Sequence, residues 1–249
     1  YQTVDSVDLV GLHVHIGSPV YETEPYESAV RVLLRLIDEL EAAGHAISVL
    51  DLGGGWPMNY TDGQAPEIEA FAEALTPLLQ ERVERGLQIV LEPGRYIIAN
   101  SGVLLTRVEH VKEGRKKRFV IGDAGMHTLI RPAFYRAFHF VWPVKVEAHH
   151  VPQTVAEQLD LPDLHHSDLV GPICETGDFL ARGRDLPRVG RGDLMAVFSA
   201  GAYAMSMTSN YNDQVRPAEV MVDGDRMVVI KERQKLARLL ETELAPREL

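Results

Sequence analysis

Apolar residues along the first hundred positions follow two alternating rhythms. Uninterrupted runs at Leu9–Ile16, Ile47–Leu52 and Leu87–Leu91 have the length and composition of buried strands. Between them, apolar residues recur three and four apart. Val30, Leu33, Leu34, Ile37 and Leu40 form one series, and Ile68, Phe71, Leu75, Leu78, Leu79 and Val83 the other. That spacing stacks each series on one helical stripe. Gly44 and Gly86 close the two predicted helices, and Pro77 predicts a kink or break in the second. The strand ends His13, Leu52 and Leu91 are evenly pitched, since 52 − 13 and 91 − 52 both equal 39. Strand, helix, strand at constant pitch predicts βα units on a parallel sheet. Three units cannot close a barrel alone. They read as the final units of an eight-stranded (β/α) barrel, with an open doubly wound sheet as the alternative.

The rhythm changes after Asn100. Short β-like runs follow at Val103–Val108, Arg118–Ile121, His139–Val146 and Leu194–Phe198. Asp223-Gly224-Asp225 lies between Glu219–Val222 and Arg226–Ile230, a hairpin signal. The expected architecture is therefore α/β plus β. Residues 1–100 form the end of a TIM-type barrel, and 101–249 a mostly antiparallel β-sandwich or β-barrel domain. Gly201–Asn212 is expected to be an inserted helix or loop, and a polar helical tail is expected from about Glu232.

Charge narrows the function classes. With 25 basic and 36 acidic residues the formal net charge is −11, which opposes a general affinity for nucleic acid or anionic membrane. Lys116-Lys117-Arg118 runs into Phe119-Val120-Ile121 and reads as a solvated strand entry. No apolar stretch approaches the roughly 18 residues of a membrane span, and no signal peptide is expected at the start. Cys174 is the single cysteine, so an intrachain disulfide is excluded. The expected compartment is the cytoplasm.

Candidate chemistry clusters just past the three predicted strand ends, on the face where barrel enzymes place their sites. The sets are His13, His15 and Ser18; Gly53, Gly54 and Gly55; and Glu92 with Arg95. Three glycines let the backbone turn sharply and approach an anion closely, although a plain tight turn has the same composition. His13 and His15 are two apart and would share a strand face, as core or barrel-lining histidines do. A metal would need a third ligand, with a carboxylate or histidine behind the ligating imidazole, and none is predicted. A phosphate cradle beside a carboxylate and an aromatic face suits pyridoxal phosphate. That cofactor needs its phosphate gripped, its ring packed and a carboxylate at its pyridine nitrogen.

Seven motifs occur in order: His13-Val14-His15-Ile16-Gly17-Ser18, Asp51-Leu52-Gly53-Gly54-Gly55, Glu92-Pro93-Gly94-Arg95, Asp123-Ala124-Gly125-Met126, Arg131-Pro132-Ala133-Phe134-Tyr135, Cys174-Glu175-Thr176-Gly177-Asp178 and Gly201-Ala202-Tyr203. From about Leu9 to Val222 the chain resembles the diaminopimelate decarboxylases. These are fold-type III pyridoxal-phosphate enzymes related to ornithine and arginine decarboxylases. The resemblance implies pyridoxal 5'-phosphate as cofactor, with His15 stacked on its ring and Glu92 at its pyridine nitrogen. Ser18, Gly53, Gly54, Gly55, Arg95 and Tyr203 would complete the cofactor site. Arg95, Arg131, Tyr135, Glu175 and Tyr203 would bind diaminopimelate, the arginines and Tyr135 at its distal carboxylate and Glu175 at its distal ammonium. Cys174 would lie near the carbon that loses carbon dioxide. The implied assembly is a head-to-tail homodimer in which Cys174 and Glu175 reach into the partner's site.

Blander readings stand beside these. Cys174 reads equally as a small buried hydrophobe, Arg131 as a salt-bridge partner and Tyr203 as core. His149-His150 and His165-His166 read as surface or loop histidines. Two motifs depart from the family pattern: Pro19 follows Ser18 where Gln is usual, and His127-Thr128 follows Asp-Ala-Gly-Met. The six lysines are Lys112, Lys116, Lys117, Lys145, Lys231 and Lys235, and none ends a predicted barrel strand. The family's cofactor lysine is therefore missing here, and the chain is expected to be the C-terminal part of a longer enzyme. The rival readings are a decarboxylase of ornithine, lysine or arginine, and a catalytically inert fragment or regulatory module.

Overall fold

Three strands, β1 (Gly11–His13), β2 (Val49–Asp51) and β3 (Gln88–Val90), pair in parallel in that order, with Leu12 opposite Leu50 and Leu50 opposite Ile89. They belong to the first of two units in a computed structural model that describes residues 7–241 and 243; along the chain the first unit ends at Asn100 and the second begins at Ser101. Each strand is shorter than its apolar run. His15 lies beyond β1, and Gly17 and Gly53, just past the ends of β1 and β2, have φ of +135° and +66°.

Helix α1 (Glu24–Ala42) buries Tyr26, Val30, Leu33 and Ile37, and α2 (Ile68–Glu84) buries Phe71, Leu75 and Leu79. These side chains enclose Leu50 and Leu52 of the central segment in one core with Trp56. Burial of a side chain such as Ile37 or Leu50 contributes about 1.5–3 kcal/mol. Arg82 of α2 bonds Glu41 of α1 at 2.7 Å and also pairs with Asp38, which ties the two helices together. Gly44 and Gly86 follow the helix ends at φ +91° and +103°, as a C-terminal glycine does. Pro77 does not break α2, which continues as one element. The carbonyl left without an amide partner is that of exposed Glu73, where water can serve it.

The second unit is built on a six-stranded sheet. Its strands are β4 (Leu104–Glu113), β5 (Arg118–Gly122), β6 (Val141–Pro143), β7 (His165–Val170), β8 (Phe179–Leu186) and β9 (Leu194–Val197). The order is β6-β9-β4-β5-β7-β8, antiparallel except between β5 and β7. The end strands β6 and β8 approach each other, so the sheet is a near-closed barrel rather than two stacked layers. Val108, Val120, Leu129, Leu169, Leu180, Met195 and Val197 fill it. A separate hairpin, β10 (Glu219–Asp223) with β11 (Arg226–Lys231), turns at Gly224, φ +61°. Residues 201–212 carry only 3-10 turns at Met205–Met207 and from Tyr211, and the tail contributes α5 (Leu236–Leu240), with 242 and 244–249 outside the described residues.

Several expectations are corrected here. His165 and His166 are surface residues, as expected, but they lie on strand β7 rather than in a loop, and His166 faces Asp185 of β8 at 3.1 Å. His150 is buried and donates to the Pro162 carbonyl at 2.9 Å. Arg118 is no solvated entry residue: it is 3% exposed and donates to the Pro187 carbonyl. Its neighbour Lys117 pairs with buried Asp168 of β7. β6 is three residues long, against the eight of its apolar run.

His127 is buried, and its Nδ1 has no hydrogen-bond partner among the described residues. Burial pushes this imidazole below the ordinary histidine value, while Asp178 and then Asp123 pull the other way. With a folded-state pKa below the unfolded one, the unfolded chain takes up the proton first. Stability is then complete above about pH 6.5 and falls as the pH drops toward the folded-state value. His127→Asn is expected to lose less of its urea midpoint than the wild type on going from about pH 7.5 to about pH 5. Equal losses would exclude His127 as the source.

Candidate active site

The glycine loop leaving β2 is held from several sides. The Gly53 amide donates to Asp51 Oδ1 at 2.8 Å, and the Trp56 indole N–H donates to the Gly53 carbonyl at 2.9 Å. Tyr26 donates its hydroxyl to the Gly54 carbonyl at 2.9 Å and stacks on Trp56 with ring centroids 4.5 Å apart. Burial pushes the Tyr26 phenol up to about 12, so it remains a donor at any physiological pH. An aromatic cluster completed by Phe71 thus fixes a loop that has no side chains of its own.

Close approach explains the glycines. A Cβ on Gly53 would lie 2.2 Å from the Val14 carbonyl oxygen, and one on Gly55 2.1 Å from that of Gly17. A Cβ on Gly54 would lie 3.1 Å from the Glu92 carbonyl oxygen and 3.3 Å from His15 Cε1. The rim therefore brings His15, Gly54 and Glu92 together. The Gly54 amide donates to His15 Nδ1 at 3.2 Å, which leaves the ring proton on Nε2 and holds the exposed imidazole in one orientation. Two of the three glycine amides are thereby engaged internally. Gly55 is the one whose amide meets no acceptor among the described residues.

Glu92 follows β3, and its amide donates to the Gly53 carbonyl at 2.9 Å. Its carboxylate is open to solvent and lies 3.4 Å from His13 Nε2, a contact sequence reasoning missed. Arg95, in α3 (Gly94–Ile98), donates to Tyr60 Oη at 2.7 Å and to Ser18 Oγ at 3.1 Å. Tyr60 is a further residue that the motifs did not point to. Ligand atoms of His13, Asp51 and Glu92 lie within 4.8 Å of one another, a group that takes one histidine of the pair and leaves His15 out. Asp51 is already committed to the Gly53 amide, and exposed acidic groups of this kind are common without an ion.

This donor set fits pyridoxal phosphate. A glycine loop with one open amide, a hydroxyl beside a guanidinium, an oriented imidazole and an open carboxylate match the cofactor's phosphate, ring and pyridine nitrogen.

The second unit carries the remaining candidates. Arg131 and Tyr135 belong to α4 (Arg131–Tyr135); Arg131 is buried, with Nη1 2.7 Å from His139 Nε2. Tyr135 is exposed, edge-on to Phe134 at 4.7 Å. Cys174 is exposed, against the reading as a buried hydrophobe. Glu175 is exposed too, and accepts from the Gly177 amide at 3.2 Å and the Tyr211 hydroxyl at 3.4 Å. Asp178 anchors this loop: its carboxylate accepts the Met126 amide at 2.7 Å and the Ile173 amide at 2.5 Å. A Cβ on Gly125 would meet Asp178 Oδ1 at 2.2 Å, so the Gly125 and Cys174 motifs are clamped by one buried carboxylate. Tyr203 is exposed at φ +57° between buried Ala202 and Ala204. That left-handed backbone costs about 1–3 kcal/mol and is typical of functional positions.

A family model described as pyridoxal-dependent decarboxylase, C-terminal sheet domain, matches residues 4–201. Over 237 residues the chain is 45% identical to the diaminopimelate decarboxylase of Pseudomonas aeruginosa, covering 95% of this chain and 53% of that protein. Over 242 residues it is 41% identical to that of Zymomonas mobilis, covering 96% and 53%. The chain belongs to the family of pyridoxal-dependent decarboxylases that the family model describes. A diaminopimelate decarboxylase from M. jannaschii, crystallised in co-complex with L-lysine, superposes with TM-score 0.85 at 32% identity over 95% of this chain and 52% of that one. The chain thus spans about half the length of the decarboxylases it matches.

No lysine lies on the decarboxylase-like rim of β1, β2 and β3. Lys112 is on β4, Lys116 and Lys117 precede β5, Lys145 follows β6, and Lys231 and Lys235 flank the segment leading to α5. Among the described residues no helix is long and apolar enough to cross a membrane.

Proposed function

We propose that the chain is the C-terminal part of a cytoplasmic, homodimeric enzyme that decarboxylates meso-2,6-diaminopimelate to L-lysine with pyridoxal 5'-phosphate. In this reading β1 to β3 are the last strands of an eight-stranded (β/α) barrel, and residues 101–249 carry the substrate and dimer-interface motifs. The lysine that holds the cofactor belongs to the part of the relatives' length that this chain does not span. The observation that carries the reading is the convergence of His15, Gly54 and Glu92 beside the Ser18–Arg95 pair. The names of the relatives, one of them seen with L-lysine, support it.

Bound pyridoxal phosphate supplies a conjugated sink for the electron pair left when carbon dioxide departs. The chain's own residues do the rest. Ser18 Oγ, the Arg95 guanidinium and the Gly55 amide hold the phosphate, and Gly53 and Gly54 allow it to come close. Glu92 keeps a proton on the pyridine nitrogen, a preorganised charge where electron density develops. His15, fixed by the Gly54 amide, packs its ring against the cofactor. Arg131, Tyr135, Arg95 and Tyr203 bind the distal carboxylate and Glu175 the distal ammonium. Cys174 from the partner protomer, or a neighbouring group, delivers the proton to the carbon that lost its carboxylate.

Ornithine, lysine and arginine have no distal carboxylate, so a guanidinium dedicated to one argues against a decarboxylase of those substrates. In the full-length enzyme, diaminopimelate is expected to be turned over far faster than the other three. Arg131→Ala is expected to raise its KM about 10- to 100-fold, the equivalent of roughly 1.5–3 kcal/mol for a charged hydrogen bond. An unchanged KM would remove the recognition role. Mixing this chain with a polypeptide carrying the rest of the relatives' length tests the inert-module reading: restored carbon dioxide release excludes it.

A further inference from the structure

Arg131 and His139 are both buried, at 6% and 1% exposure, and Arg131 Nη1 lies 2.7 Å from His139 Nε2. The other ring nitrogen, Nδ1, lies 2.9 Å from the Phe198 carbonyl oxygen. A guanidinium only donates and a carbonyl only accepts, so the hydrogen-bonding roles in this chain of contacts are determined. His139 donates from Nδ1 to Phe198 and offers the Nε2 lone pair to Arg131. The anchor is firm: the Phe198 amide donates to the Phe140 carbonyl at 2.8 Å, and the two rings lie 5.5 Å apart.

A buried arginine is usually oriented by a carboxylate, which also cancels its charge. His139 meets the guanidinium instead through a neutral acceptor, the Nε2 lone pair. We propose that His139 is a positioning residue. It sets the direction of the Arg131 guanidinium toward the distal carboxylate of the substrate, with Phe198 as its backbone anchor. This inference rests on the assignment of Arg131 to that carboxylate.

The test uses the full-length holoenzyme with His139→Asn and His139→Gln, alone and combined with Arg131→Ala. An asparagine amide reaches the Phe198 carbonyl but not Arg131, whereas a glutamine amide oxygen reaches the position of Nε2. His139→Asn is expected to raise KM for diaminopimelate about 10-fold with kcat within about threefold, and His139→Gln to stay within about threefold of wild type in both. Combined with Arg131→Ala, neither is expected to change KM further, because a residue acting through another is silent once that other is gone. If Arg131→Ala raises KM while His139→Asn leaves it unchanged, or if the two effects multiply, the inference is overturned and the substrate assignment stands. If Arg131→Ala leaves KM unchanged, the substrate assignment fails and the inference with it. Should His139→Asn not fold, His139→Gln decides the matter: a KM raised as far as in Arg131→Ala refutes the positioning role.

Discussion

In the full-length enzyme, Glu92→Gln is expected to lower kcat/KM for diaminopimelate by about 10²- to 10³-fold, the usual cost of removing one preorganised electrostatic group. The substitution keeps the side chain's shape. It also keeps the Glu92 amide on the Gly53 carbonyl at 2.9 Å, so the glycine loop retains its geometry. What it removes is the negative charge. A neutral amide cannot hold a proton on a pyridine nitrogen, and that proton makes the ring an effective electron acceptor. The effect belongs in kcat rather than KM, since the charge acts on the cofactor and not on the substrate's distal end. Steady-state kinetics with cofactor occupancy measured by absorbance separates the two. Activity within about threefold of wild type at full occupancy would take Glu92 away from the pyridine nitrogen.

Gly55→Ala is the substitution expected to harm the fold most. It combines a φ of +95° with a Cβ placed 2.1 Å from the Gly17 carbonyl oxygen and 2.9 Å from the Tyr26 hydroxyl. The left-handed backbone costs about 1–2 kcal/mol for a residue with a Cβ, and the overpacking about 1–3 kcal/mol more. Backbone atoms cannot swing aside, so the loop must move and the Tyr26 bond to Gly54 goes with it. Two controls separate the causes. Gly63 has φ +71° with open space around its Cβ position, so Gly63→Ala is expected to show the conformational cost alone. Gly54 has no left-handed φ and would crowd His15 and the Glu92 carbonyl, so Gly54→Ala is expected to weaken cofactor binding more than stability. Denaturant midpoints and cofactor titrations of the three variants check this. A Gly55→Ala protein as stable as Gly63→Ala would mean that the loop is not clamped as described.

Local rules made the first unit easy to read. In α1, Val30, Leu33 and Ile37 are buried at the three- and four-residue spacing of the apolar stripe, because a helix repeats every 3.6 residues whatever surrounds it. The break that Pro77 allowed did not occur, and α2 runs through it as one element. The same rules erred at β7 and β8. His165-His166-Ser167-Asp168 has no apolar alternation, yet it is a strand. Its polar groups are satisfied by the neighbouring strands: Asp168 pairs with Lys117 beside β5 and accepts the Gly183 amide of β8 at 2.8 Å. No window of sequence holds both partners.

The site divides in the same way. Seven short motifs named the groups with chemical potential, because a backbone turning this tightly demands glycine and ionisable chemistry demands particular side chains, and such demands are written in single residues. The partners that orient those groups came only with the folded chain: Tyr60 for Arg95, His13 for Glu92, Asp178 for the Cys174 loop and His139 for Arg131. Each lies from 4 to 79 positions away in the chain. Residue type limits which reaction a side chain can serve, and that much is local. Direction, burial and charge compensation depend on contacts between distant segments, and folding alone creates those.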